Sequence, residues 1–146
     1  MRRPVSRRRD EQKVQTAIVV ALHREFDCRV VHVPNGGSRT MLEAIALKEM
    51  GTWAGHPDLI VYGRGGKLLL LEVKEAVQVR ERNIVPEERL QTLSTAQKLA
   101  VPELRSRGFT VAVVDCVADA IAAVHAFGFG PRATAVRSPL ELRTGL

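Results

Sequence analysis

Residues 57–74, PDLIVYGRGGKLLLLEVK, contain two apolar runs separated by the Gly-rich tetrapeptide 63–66. This pattern predicts a β-hairpin with strands at 58–62 and 67–74. Both runs are apolar at successive positions rather than at alternate ones. A strand that is apolar on both faces is normally covered on both faces, so the hairpin is predicted to form the centre of an α/β sandwich.

The hairpin also predicts a cluster of charged side chains. If it is symmetric about Gly65, Asp58 stands opposite Glu72, and the alternation of side chains puts Lys74 on the same face. Two facing carboxylates repel each other, and their burial is costly without a counter-charge. A divalent cation such as Mg²⁺ or Mn²⁺ resolves this conflict. The alternative is that these are ordinary charges at strand ends, with Lys74 pairing with Glu72.

On the N-terminal side of the hairpin, the spacing predicts a helix with Asp10 as its N-cap, a strand at 29–33 and a turn at 34–37. A second helix is predicted after a capping box of Thr40 and Glu43, and it ends at Gly51. Its buried stripe is predicted to consist of Leu42, Ile45, Ala46 and Met50.

On the C-terminal side, residues 75–92 are polar and show no clear period. A helix is predicted from Ser94 to Arg107, with a kink or a break at Pro102. A buried strand at 109–115 and a last helix that stops at Gly128 follow. The resulting order α-β-α-β-β-α-β-α is typical of one domain with a mixed central sheet flanked by helices.

Composition limits the class of protein. The chain has 146 residues, of which 45% are hydrophobic, so it is long enough for one domain and too apolar to be disordered for most of its length. Apolar runs are too short to span a bilayer, and the N-terminus lacks the apolar core of a secretory signal. We therefore expect a soluble, cytoplasmic protein without a membrane partner. Cys28 and Cys116 lie far apart, and no CxxC spacing indicates a zinc site.

Charge points to a polyanionic partner. The formal net charge is +6, and five of residues 1–9 are arginines. We interpret 1–9 as a flexible basic arm in which Arg7, Arg8 and Arg9 contact phosphates, and the alternative is a solvated tail. The main domain is expected over 10–128, with 75–92 as an insertion, and we assign no firm structure to the tail 129–146. A metal ion, an adjacent lysine and a polyanionic substrate together indicate phosphodiester hydrolysis.

These residues resemble a known family. Pro57-Asp58 followed by Glu72-x-Lys74 matches the PD-(D/E)XK signature of restriction-endonuclease-like nucleases. The surrounding motifs make the resemblance closer to the VRR-NUC branch, including its stand-alone phage and bacterial members. Those motifs are Glu11-xxx-Gln15, Pro34-Asn35-Gly36-Gly37-x-Arg39, Gly51, Gly55-His56-Pro57-Asp58, Leu93-Ser94-xx-Gln97 and Gly108.

The resemblance implies roles for individual residues. It implies metal ligation by Asp58 and Glu72, with the backbone carbonyl of Val73 as a further ligand, and a catalytic role for Lys74. Gln97 matches a glutamine that positions the site, and its alternative is a capping box with Ser94. Glu11 matches an acid of the first helix that completes or orients the metal shell. Its alternative is a favourable acid in the first turn of that helix.

The resemblance further implies a restriction-endonuclease-like α/β core and a Mg²⁺- or Mn²⁺-dependent DNA endonuclease. Duplex or branched DNA is the expected substrate, because VRR-NUC proteins resemble Holliday-junction resolvases, and a homodimer is expected by analogy. The rival hypothesis is a non-catalytic, basic DNA-binding accessory protein. The segment 75–92 is longer than the connector of many stand-alone relatives. It could reach over the site, contact nucleic acid or form a subunit interface.

Side chains near the turns are less informative. Asn35 and Arg39 flank two glycines that would let backbone amides approach a phosphate, although a plain turn and helix start explain them almost as well. Trp53 is interpreted as a packing residue in preference to a platform for base stacking. His56 is interpreted as a surface histidine in preference to a substrate contact, and His32 has no partner that the sequence identifies.

Overall fold

The computed structural model describes residues 5–34, 39–75 and 86–133, and the side chains of all of these except 5–9 and 86–88. The helices and strands follow the predicted order. They are α1 (Val5–Glu25), β1 (Arg29–His32), α2 (Met41–Glu49), β2 (Leu59–Tyr62), β3 (Leu68–Val73), α3 (Thr95–Ser106), β4 (Thr110–Val114) and α4 (Val117–Phe127). Short 3₁₀ segments lie at Arg64–Gly66 and Pro86–Thr92.

The four strands form one mixed sheet in the order β1-β2-β3-β4. The β1–β2 and β2–β3 pairs are antiparallel, whereas β3 and β4 are parallel. In the central hairpin Leu59 pairs with Leu71 and Ile60 with Leu70, so the hairpin is symmetric about Gly65 as predicted. The turn depends on glycine, because Gly65 has a φ of 68° and Gly66 a φ of 76°. One step beyond the pair of Leu59 and Leu71, this register places Asp58 opposite Glu72.

Both faces of the sheet are covered, which confirms the predicted sandwich. On one face α1 and α4 bury a core with β2 and β3. On the other face α3 covers a smaller core that includes Leu70, Val101, Leu104 and Val111. Alternate residues of β3 enter the two cores, which explains why this strand is apolar at every position from Leu68 to Leu71.

Helix α1 begins at Val5 rather than at Asp10. The prediction of an N-cap at Asp10 was therefore wrong. Arginine has a high helix propensity, so a run of arginines does not end a helix as glycine or proline would. The helix overlaps the second half of the segment 1–9 that we interpreted as an arm.

Helix α2 corrects a second expectation. The capping box is present: the Glu43 backbone amide donates to the Thr40 hydroxyl, and the Thr40 amide donates to the Glu43 carboxylate. The predicted buried stripe is absent from α2, because α2 buries none of its residues and Leu42 is 80% exposed. The other stripe residues are exposed too, namely Ile45, Ala46 and Met50. Helical spacing shows that one face is apolar, but not whether another element covers it.

Helix α3 runs continuously through Pro102, so the expected break there does not occur. A proline removes one backbone donor, and the carbonyl that loses it belongs to Lys98. Both Pro102 and Lys98 lie on the exposed side of the helix. Water can therefore satisfy that carbonyl.

The described chain stays packed beyond Gly128, where α4 ends with a φ of 98°. Phe129 is buried in the core that α1 and α4 form with the sheet. The guanidinium of Arg132 donates to the backbone carbonyls of Phe26 and Cys28. Among the helices of the described residues, none combines the length and apolarity that crossing a membrane requires.

Candidate active site

The hairpin brings Asp58 and Glu72 together at one end of the sheet. The Asp58 carbonyl accepts a bond from the Val33 amide, and its carboxylate accepts one from the Val73 amide at 2.8 Å. Asp58 is thus held between β1 and β3. Glu72 is 1% exposed. Burial, followed by the negative charge of Asp58, raises the pKa of Glu72 from 4.5 to about 9, against an opposing effect of Lys74.

The two carboxylate oxygens of Glu72 have different surroundings. Oε1 accepts a bond from the side-chain amide of Gln97 at 2.5 Å. Oε2 is buried, and no group of the described residues donates a hydrogen bond to it. A buried carboxylate oxygen without a donor is costly, and it lies beside a second carboxylate. This donor set suits a hard divalent cation, which would satisfy Oε2 and neutralise both acids.

Lys74 and Gln97 complete the buried network. The Lys74 ammonium lies 3.0 Å from Gln97 Oε1 and 3.7 Å from Glu72 Oε1, and the residue is 3% exposed. Gln97 also forms the predicted capping box, because its Oε1 accepts from the Ser94 amide at 2.8 Å. The same side chain therefore caps α3 and contacts Glu72 and Lys74, and its role in positioning the site stays a prediction. The long segment 75–92 does not move Gln97 away from Glu72.

Glu11 reaches the same site from α1. It lines the cleft that contains Asp58 and Glu72, and its negative charge contributes to the raised pKa of Glu72. Because α1 begins at Val5, no acidic residue lies in its first turn. The interpretation of Glu11 as a first-turn acid is therefore wrong. Glu11, Asp58 and Glu72 form one cluster of acidic residues in the cleft.

The remaining predicted contacts are at the rim or outside the described part. Arg39 lines the cleft, and its guanidinium donates to the Pro34 carbonyl at 3.1 Å. Asn35 lies outside the described residues, as do the side chains of Arg7, Arg8 and Arg9. The involvement of these four residues stays a prediction.

Sequence reasoning missed His32. Its Nδ1 lies 2.9 Å from the Gln15 amide nitrogen and 3.2 Å from the Asp58 carbonyl oxygen. The pairing of His32 with Leu59 across β1 and β2 creates this contact. The only signal in the sequence was the register of two strands that are separated by helix α2, and no turn residue specifies that register.

Gly55 fixes the loop at one side of the cleft. Its φ is 86°, and a Cβ added there would overlap the Ala96 carbonyl and lie 2.7 Å from the Gln97 nitrogen. This close approach presses the loop 52–56 against the first turn of α3.

Gly55→Ala should therefore lower the free energy of unfolding by about 2–4 kcal/mol, since a left-handed alanine is strained and the backbone of α3 must also move. Gly51→Ala is the matched control. Gly51 has a φ of 101° but nothing within 4 Å, so it should cost only about 1 kcal/mol. Urea denaturation measures both, and equal losses would contradict the close contact.

A second acidic group lies near the start of α4. Asp115, Cys116 and Asp119 offer ligand atoms within 4.8 Å of one another, an arrangement that could hold a metal ion. Arg89 supplies a positive charge there: its guanidinium donates to Asp119 and lies 3.7 Å from Asp115. We interpret this group as an ion-pair cluster that attaches the segment Pro86–Thr92 to β4 and α4.

Comparison with solved structures finds a chain described as a VRR_NUC domain protein. The two chains superpose with a TM-score of 0.57 at 25% sequence identity. The alignment covers 82% of this chain and 88% of the other. Comparisons with protein-family models and with curated proteins find no match. The structural likeness confirms the resemblance to the VRR-NUC family and the predicted restriction-endonuclease-like α/β fold.

Proposed function

Since the chain has the fold of a VRR_NUC domain protein, we propose that it is a metal-dependent DNA endonuclease that hydrolyses phosphodiester bonds. The observation that carries the proposal is the buried Glu72 Oε2, which has no donor among the described residues and lies beside the carboxylate of Asp58. A divalent cation bound between the two carboxylates would satisfy Oε2 and replace the proton that Glu72 holds in the metal-free protein.

The cation would be held by Asp58 and Glu72, with the Val73 carbonyl as a backbone ligand and Glu11 completing or orienting the shell. These are hard oxygen ligands, which favour Mg²⁺ or Mn²⁺. When bound, such an ion polarises the scissile phosphate, lowers the pKa of an attacking water and stabilises the leaving oxygen.

Lys74 supplies a fixed positive charge at the same place. Its ammonium is oriented by Gln97 and lies close to Glu72. We infer that it stabilises charge on the phosphate or orients the attacking water. Gln97 acts as a positioning residue, because one amide holds Glu72 and Lys74 while it caps α3.

DNA is the proposed substrate because the chain carries a formal charge of +6 and Arg39 lines the cleft. The arginines of 1–9 and Asn35 would add phosphate contacts outside the cleft. Selectivity for branched or four-way DNA, and a homodimer with two sites, are proposed by analogy with structurally similar nucleases.

The rival is a DNA-binding accessory protein without catalysis. It would have to place Glu11 and Asp58 against a phosphate backbone, where their charges repel the ligand. A cation between the acids and the phosphate removes this repulsion. The acidic floor of the cleft therefore favours the nuclease.

The test is cleavage of labelled linear, nicked, flapped and four-way DNA at one salt concentration. We expect products with Mg²⁺ or Mn²⁺ and none with EDTA, because the acids alone repel the phosphate. Light scattering of the same preparation measures the oligomeric state. Salt-sensitive binding of every DNA without cleavage in either metal would favour the accessory protein.

A further inference from the structure

We propose that an apolar wall in the cleft, formed by Leu47, Trp53 and Leu99, holds an unstacked nucleobase next to the scissile phosphate. This inference rests on the proposed nuclease function and extends it to the substrate. The preferred substrate is then DNA with an unpaired nucleotide at the cleavage position.

All three residues line the cleft that contains Glu11, Asp58, Glu72 and Lys74. Leu99 is 74% exposed and lies two residues after Gln97, the residue that binds Glu72. A single exposed leucine needs no explanation. Three large apolar side chains that line the same cleft as a phosphate site need an explanation, because they make no favourable contact with a phosphate group.

Trp53 offers the wall its largest flat surface. The indole is half-buried and packs against the smaller core that α3 covers. It meets the His56 ring edge-on, with 6.1 Å between ring centroids. These contacts fix the plane of the indole. Bases stack on aromatic side chains whatever their sequence, so a fixed indole at this position is suited to an unstacked base.

The apolar wall is held in place relative to Glu11, Asp58 and Glu72. Gly55 brings the loop that carries Trp53 against Ala96 and Gln97 in the first turn of α3. Leu99 belongs to the same helix, and Gln97 connects that helix to Glu72 and Lys74. Trp53 and Leu99 are therefore both connected to the acids through the first turns of α3.

The size of the cleft agrees with a polymer segment. Its volume is about 1,090 Å³, just above the range of roughly 300–1,000 Å³ for small-molecule sites. Within a duplex both faces of a base are covered by its neighbours. An enzyme that needs a free face must unstack the base, which costs least where the base is unpaired.

The experiment compares two labelled duplexes that differ only in one unpaired nucleotide at the cleavage position. We expect wild-type protein with Mg²⁺ to cleave the unpaired duplex about tenfold faster than the paired one. Leu99→Ser should reduce this ratio of rates about tenfold, whereas Leu99→Met should keep the wild-type ratio. The matched control is Leu42→Ser, because Leu42 is 80% exposed and does not line the cleft.

A binding measurement makes the test independent of turnover. With Ca²⁺ in place of Mg²⁺, 2-aminopurine at the unpaired position should change its fluorescence on binding wild-type protein and Leu42→Ser, and much less with Leu99→Ser. Equal ratios and equal fluorescence for Leu99→Ser and Leu42→Ser would overturn the apolar wall while leaving the nuclease intact. Failure to cleave any DNA would overturn the nuclease itself.

Discussion

Glu72→Gln should abolish metal-dependent cleavage while making the metal-free protein more stable. Glutamine keeps the shape of the side chain and cannot ionise beside the negative charges of Asp58 and Glu11. It also removes a metal ligand, and a metal ion contributes several kcal/mol of charge stabilisation in such reactions, so the rate should fall about 10³-fold.

The gain in stability follows from the pKa of Glu72, which burial and the Asp58 charge raise to about 9 in the folded protein. Below the ordinary value of 4.5 both folded and unfolded Glu72 are protonated. Between 4.5 and about 9 the folded protein retains a proton that the unfolded chain has lost, so stability falls as the pH rises. Glutamine has no such loss. At pH 8 it should therefore add about 3–5 kcal/mol to the free energy of unfolding.

Urea denaturation with EDTA from pH 5 to pH 9 measures this effect. The wild-type stability should decline across the range, and that of Glu72→Gln should decline less. Glu103→Gln is the control, because it breaks only an exposed pair with Arg107 on α3. A destabilised Glu72→Gln with a normal cleavage rate would refute both the metal role and the buried charge.

Lys74→Met should reduce cleavage about 10²–10³-fold without unfolding the protein. The ammonium is a fixed charge next to the proposed metal ligands, and removal of one such group costs this much in other enzymes. Removing one partner of a buried ion pair normally destabilises a protein strongly. Here Glu72 already holds a proton in the metal-free protein below about pH 9, so the loss of Lys74 leaves no unpaired charge on Glu72.

Lys98→Met is the matched control on the exposed side of α3. It removes the same charge from the chain but lies outside the cleft. Rates at saturating Mg²⁺ and circular dichroism measure activity and folding for both variants. If both lose activity equally, net charge rather than Lys74 is responsible; if neither does, Lys74 has no catalytic role.

The sequence by itself determined the central hairpin and its charged face. Turn glycines at 65 and 66 set the register, and the period of two along each strand then placed Asp58, Glu72 and Lys74 together. The capping boxes at Thr40 and Ser94 were equally readable. All of these depend on residues that are close along the chain, where local geometry leaves few alternatives.

Only the tertiary structure decided which elements cover one another. It left α2 exposed, brought Glu11 near Glu72 and His32 to Asp58, and placed Gln97 on Glu72 despite the long segment before α3. It also opened the cleft to Leu99. These outcomes depend on contacts between segments far apart in sequence, and helical periodicity reports only that a face is apolar, not what meets it.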